Sequence, residues 1–320
     1  MKSIFEQMAE MCEAGEPSVL VTVTAVTGSA PAGPGFTMLV GADGRVAGTV
    51  GGGTIELASE RIARRMARDA GSEAAGCRHF SLSPEAAGSV GMVCGGETDL
   101  LFTPVPFALT EPLRAALGVA GAALALPLDG SAPEVLAGEG AGTRDRIEAG
   151  ARVEVGGREA VAVPLAPEGM VYVFGGGHVA QALVPMLMAA EFSCTVVDDR
   201  PEFCAPALFP AGCRTRCLSY DALEGELTIT AEDWVCIMTR GHAGDLEAMR
   251  FALGTPARYI GAIGSKQKRE RLFGILEGEG AVDVRERVVS PIGLPLGGRR
   301  PGEVAISIAA QLVQDRAGAR

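Results

Sequence analysis

Several groups of residues in this 320-residue chain have the types and spacing that chemistry requires. Gly175-Gly176-Gly177-His178-Val179-Ala180 follows the apolar run Val171-Tyr-Val-Phe174 and opens a helical pattern through Leu183 and Leu187. In this G-x-G-x-x-A arrangement the glycines let backbone amides approach a pyrophosphate. The helix N-terminus at His178 and Val179 then favours its charge. Asp198 closes the next apolar run about 20 residues on, where an acid would hold a ribose 2′-hydroxyl and repel a 2′-phosphate. The alternative is a domain that keeps this turn for packing and binds nothing there. His178 either contacts a ligand or donates to backbone.

Three further groups fall at comparable junctions. Thr239-Arg240-Gly241-His242-Ala243-Gly244-Asp245 follows the run Trp234 to Met238. Arg240 could bind a phosphate and His242 relay a proton or orient a ligand. In the plainer reading, Asp245 caps a helix from Leu246 to Leu253 and His242 is a turn residue. Gly264 and Ser265 expose amides at a helix start, with Lys266, Lys268, Arg269 and Arg271 beside them, which is either an anion cradle or a solvated charged face. Earlier in the chain, Gly51-Gly52-Gly53 and Cys94-Gly95-Gly96 mark two glycine-rich turns. Cys94 could be an exposed nucleophile or a soft metal ligand, or a small buried apolar group.

The elements that must hold these residues read as two domains, 1–166 and 167–320. In the first, Ile4, Phe5, Met8 and Met11 form a helical stripe. Val19 to Val26, Phe36 to Val40, Val46 to Val50 and Thr98 to Thr103 read as strands, and a helix follows Thr54 with Ile55, Ile62 and Met66 on one face. A hairpin is expected with Val153 and Val155 facing Val161 and Val163 across Gly156-Gly157. The second domain alternates strands (Val171 to Phe174, Cys194 to Val197, Trp234 to Met238, Tyr259 to Ile263) with helices. That alternation predicts a parallel sheet with helices on both faces. The fold class is therefore α/β throughout.

Composition sets the outer limits. The chain is 48% hydrophobic, with 28 Lys and Arg against 39 Asp and Glu for a net charge of −11, which argues against nucleic-acid binding. No apolar run is long enough to span a membrane, and the N-terminal residues lack a signal-peptide core, so a cytoplasmic protein is expected. The 44 glycines imply many tight turns. Eight cysteines without paired C-x-x-C units read mostly as free thiols, and Cys213-Arg-Thr-Arg-Cys217 stands alone. Three histidines make a His-rich metal site implausible.

Taken together, GSAPAGPGFTMLV with GTVGGGTIE, GMVCGG, VFGGGHVA with VVDDR, and TRGHAGDLE with YIGAIGSKQKRERL and SPIGL resemble the xanthine dehydrogenase accessory (XdhC/CoxI-like) family. The resemblance implies an N-terminal XdhC/CoxI domain, a C-terminal Rossmann domain and a homodimer. It implies binding of the molybdenum cofactor (molybdopterin), support of its sulfuration by a cysteine desulfurase, and delivery to a molybdenum hydroxylase such as xanthine dehydrogenase. By the same resemblance Cys94 matches a cysteine implicated in holding the cofactor; its loop is expected to face the metal end, and Gly51, Gly52, Gly53 and Gly95 are further candidates for binding it. NAD or another nucleotide remains open as the Rossmann ligand, and an NAD-dependent oxidoreductase with His242 as acid/base is the alternative activity. A carrier without turnover is favoured because no acid–base pair is positioned by motif. The chain departs from the family at Ala32, where an Arg is usual, at Thr54, where Cys or Arg is common, and at Pro295, where an acid is usual.

Overall fold

A computed structural model describes residues 3–69, 71–82, 95–119, 121–136, 148–165 and 169–318. The chain divides into two compact units, residues 2–166 and 167–320.

The first unit opens with α1 (Ile4–Ala14), held by a capping box between Ser3 and Glu6. Strands β1 (Ser18–Thr27), β2 (Thr37–Gly41) and β3 (Gly44–Gly48) lead into α2 (Gly53–Arg68), followed by β4 (Gly76–Ser81), β5 (Glu97–Pro104) and α3 (Thr110–Ala116). The five strands form one antiparallel sheet in the order β3-β2-β1-β5-β4. Alternation along β1 explains its place at the centre. Leu20 faces one core with Phe5, Met8 and Leu124, and Val19, Val21 and Val23 face another with Ile55, Ala63 and Met66 of α2.

A second antiparallel sheet, β7-β6-β9-β8, comprises β6 (Ala123–Pro127), β7 (Glu134–Leu136), β8 (Arg152–Val155) and β9 (Arg158–Pro164). The Gly156-Gly157 hairpin is present, but Val153 pairs with Ala160 and Val155 with Arg158. A two-residue turn leaves its flanking residues directly opposite one another, so Val161 falls opposite Arg152 instead. The apolar stretch from Ala115 to Leu126 splits between the end of α3 and the buried strand β6.

The second unit is a six-stranded sheet built from β10 (Met170–Phe174), β11 (Ser193–Asp198), β12 (Arg214–Cys217), β13 (Trp234–Ile237), β14 (Tyr259–Ala262) and β15 (Val288–Val289). Every pairing is parallel, and the order is β12-β11-β10-β13-β14-β15. Numbered from β10, that is 3-2-1-4-5-6, the doubly wound dinucleotide-fold order, with its reversal point between β10 and β13. Helices α4 (His178–Ala189), α5 (His242–Leu253), α6 (Lys266–Gly278), α7 (Val284–Arg287) and α8 (Pro301–Arg316) complete it. Two apolar clusters cover the two faces, α4 and α8 on one and α5 and α6 on the other. Between β11 and β12 the crossover is not an α-helix. Two short turns, Pro201–Phe203 and Pro206–Leu208, carry the chain across. Among the described residues no helix is long and apolar enough to cross a membrane.

Candidate functional site

In the second unit, α4, α5 and α6 each begin just past the carboxyl end of a strand, and those strands (β10, β13, β14) are neighbours. The glycine turn fits between them by close backbone approach. A Cβ on Gly175 would lie 2.3 Å from the Met238 carbonyl oxygen, and its φ of +110° disfavours any side chain. A Cβ on Gly176 would lie 2.1 Å from the Phe203 carbonyl oxygen. At Gly177 and Gly241, the residues immediately before α4 and α5, a Cβ would meet nothing within 4 Å. The inner two glycines therefore serve packing, and the outer positions face open space.

His178, Arg240 and His242 are exposed beside those helix starts. The first amides of α4, at His178 and Val179, have no acceptor among the described residues, as helix geometry requires unless a cap or ligand supplies one. Helix α5 starts at His242, one turn earlier than expected from Asp245 as a cap.

The charged groups behave differently from their expected roles. Asp198 has no exposed surface. Its Oδ2 accepts from the Gly176 N–H at 2.8 Å and from the Arg200 guanidinium at 2.9 Å, and its Oδ1 accepts from the Arg200 N–H and Nε. The carboxylate expected to meet a ribose is turned inward and engaged by Gly176 and Arg200. Burial pushes its pKa up. The Arg200 guanidinium and the Gly176 and Arg200 amides outweigh that and hold it below the usual carboxylate value.

Lys268, expected in an anion cradle, is also committed. Its Nζ pairs with Asp245, which is 1% exposed. Asp245 in turn accepts from the Thr239 N–H at 3.0 Å and hydroxyl at 2.7 Å. This carboxylate thus ties the loop after β13 to the first turn of α6. Ser265 caps α6 by accepting from the Lys268 N–H at 3.2 Å. A Cβ on Gly264 would lie 3.2 Å from Lys268 Cδ, so the glycine leaves room for the lysine stem. The accessible cation of the loop after β13 is Arg240.

The first unit gathers three glycine-rich segments. A Cβ on Gly96 would lie 2.4 Å from the Ser29 carbonyl oxygen, and one on Gly51 would lie 2.6 Å from Pro31 Cγ. The turns at 28–35, 51–53 and 95–96 therefore meet, Gly95 is exposed, and Cys94 lies outside the described residues. Ala32, one of the departures from the family, is buried in this cluster. The amides of the 50–52 turn are filled from within. Glu56 Oε2 accepts from the Val50 N–H at 3.2 Å, the Gly52 N–H at 3.1 Å and the Thr49 hydroxyl, while Oε1 takes Arg45 at 2.6 Å. Burial raises the Glu56 pKa, but these donors bring it below the ordinary value. A Cβ on Gly52 would meet nothing within 4 Å, and Gly53 and Thr54 are exposed beside it at the start of α2.

Glu56 and Arg200 were not among the residues picked out from sequence. An acid in the first turn of a helix that opens on glycines was the available signal for Glu56. Arg200 carried only the hint of an arginine directly after two acids. Among the described residues there is no cluster of three His, Cys, Asp or Glu able to hold a metal. A cavity of about 380 Å³ opens at the opposite, amino-terminal edge of the parallel sheet, beside Arg258, Tyr259, Arg287 and Gln311. Its arginines are already paired, Arg258 with Asp315 and Arg287 with the carbonyls of Leu253 and Thr255.

Comparison with known proteins agrees with this architecture. Residues 171–312 match the XdhC Rossmann domain, and residues 11–81 match the XdhC and CoxI family. A protein of Bacillus subtilis (strain 168), named as a probable xanthine dehydrogenase component, is 27% identical over 150 residues, 47% of this chain and 44% of that protein. The uncharacterized protein YqeB of Escherichia coli (strain K12) is 22% identical over 314 residues, 98% of this chain and 46% of its own length. The chain thus spans about half the length of these curated relatives. A crystal structure from Bacillus halodurans, described as a xanthine dehydrogenase, superposes with a TM-score of 0.77 at 24% identity, covering 100% of this chain and 97% of the other. At that identity the likeness is one of fold.

Proposed function

The chain belongs to the XdhC and CoxI family, and on that footing we propose that it is an accessory protein that carries the molybdenum cofactor to a molybdenum hydroxylase of the xanthine dehydrogenase type. The observation that carries this reading is the pair of helix starts at the reversal point of the parallel sheet. The open backbone at Gly177 and Gly241 and the exposed Arg240 and His242 make an anion-accepting edge in a chain of net charge −11.

In this reading the pterin phosphate, or its nucleotide form, lies on the amides of Gly177, His178 and Val179. Arg240 supplies the cation and His242 orients the ligand. Gly51 to Gly53, Cys94 and Gly95 of the first unit are proposed as cofactor contacts in their own right, with Cys94 a soft thiolate able to bind molybdenum. Sulfuration by a cysteine desulfurase and assembly as a homodimer belong to the same proposal. A carrier needs reversible contacts, and backbone dipoles with an exposed cation hold an anion without burying an unpaired charge.

An NAD-dependent oxidoreductase is disfavoured because the ribose-reading acid, Asp198, is already saturated by Gly176 and Arg200. The test is anaerobic purification from a molybdenum-replete host, with molybdenum quantified and the small molecule identified by mass spectrometry. Near-stoichiometric molybdopterin is expected, lowered in Cys94→Ala. Protein that shows no affinity for added molybdopterin ends the carrier reading, and NADH binding in its place would revive the oxidoreductase.

A further inference from the structure

The segment that replaces the crossover helix between β11 and β12 brings two cysteines together that the sequence keeps apart. Cys204 ends the first short turn after Asp198, and Cys217 is the last residue of β12, in register with Asp198. The Cys204 thiol lies 3.1 Å from the Asp198 carbonyl oxygen and 3.3 Å from that of Arg216. It is therefore seated between the ends of the two strands, against the carbonyl that joins Arg216 to Cys217. Cys204 is 7% exposed, whereas Cys217 faces solvent.

We propose that Cys204 and Cys217 form a reactive dithiol that is oxidised to an intramolecular disulfide by low-molecular-weight disulfides of the glutathione type. The asymmetry of exposure sets the order of events. The solvent-facing Cys217, as thiolate, attacks one sulfur of the oxidant, forms a mixed disulfide and expels one thiolate. Cys204 then gives up its proton and attacks the Cys217 sulfur, expelling the second thiolate. The protein dithiol loses two electrons, the small disulfide gains them, and the two released protons end on the two small thiols.

The bond would fasten the segment beginning at Asp198 to the end of β12. Phe203, whose carbonyl packs against Gly176, directly precedes Cys204. The ring of Phe203 carries the Arg200 guanidinium at 3.7 Å, and Arg200 braces Asp198. Oxidation therefore acts on the outer wall of the glycine turn. Burial is the main reason the Cys204 thiol is pushed up to about 11. The closing step is accordingly expected to accelerate about tenfold per pH unit through the neutral range.

The full-length reduced protein is incubated with oxidised glutathione, quenched in acid and mapped without reduction. A Cys204–Cys217 cross-linked peptide free of glutathione is expected. Cys204→Ser should instead accumulate glutathione on Cys217, and Cys217→Ser should show neither product at these positions. Wild-type protein that keeps glutathione on Cys217, links it to another cysteine or leaves it unreacted overturns the proposal. A measurement without substitutions gives the same decision should a variant misfold. Phenylarsine oxide, which needs two adjacent thiols, should shield Cys204 and Cys217 together from alkylation after mild denaturation, and labelling of Cys217 in its presence counts against the pair.

Discussion

The carboxylate of Asp198 accepts the Gly176 N–H at 2.8 Å, so the last residue of one strand holds the turn that follows its neighbour. Arg200 closes the other side of the same carboxylate. Glycine turn, acid and arginine therefore form one unit. Removing the acid takes away the two-pronged partner of the largely buried Arg200 guanidinium and leaves it only Asp199 at 3.6 Å, so Asp198→Ala is expected to cost about 3 kcal/mol. Urea unfolding should show a lower midpoint with an unchanged slope.

Acid pH should act through the same group. The folded-state pKa of Asp198 is lowered, so its contribution to stability is complete above the unfolded-state value near 4 and is lost as pH falls through the folded-state value. Glu56 works in the same direction in the first unit. Asp198→Asn and Glu56→Gln should each flatten the fall in stability below about pH 4. An unchanged pH profile in both variants would separate these carboxylates from the acid sensitivity.

Gly175 and Gly177, two residues apart, should respond differently to alanine. Gly175→Ala drives a methyl into the Met238 carbonyl at positive φ and should destabilise by at least about 2 kcal/mol, read by thermal or urea unfolding. Gly177→Ala meets nothing within 4 Å, at a φ of −72°, and should leave stability within about 1 kcal/mol. Its effect belongs to ligand affinity, because the added methyl occupies the space that an anion on the α4 amides would enter.

Arg240→Ala and His242→Ala alter exposed side chains, so unfolding should change by no more than about 0.5 kcal/mol. Affinity for molybdopterin, measured anaerobically by calorimetry, should fall roughly tenfold for Arg240→Ala and become less sensitive to salt. Lys268→Ala should do the reverse. It strips the partner from buried Asp245 and lowers stability more than binding.

The parallel unit was legible in the sequence because its signals are local. Apolar strand runs, the glycines after Phe174 and the helical spacing of Leu183 and Leu187 each sit within a few residues of one another, and the right-handed crossover rule does the rest. The strand Ala123–Pro127 was not legible, since a short apolar run suits a buried helix and a buried strand equally. Nor was the missing crossover helix after Asp198, where prolines at 201, 206 and 210 break helical continuity. The choice of glycine loops and of the acids near them lay in the order of residues alone. Which amide each acid would fill depended on strand pairing and on the closeness of helix starts far apart in the chain. A carboxylate in a low-dielectric interior must find donors wherever the fold brings them. Asp198 therefore turned to Gly176, Glu56 to the 50–52 turn and Asp245 to Lys268, while Arg240, Lys266, His178 and His242 stay exposed at the helix starts.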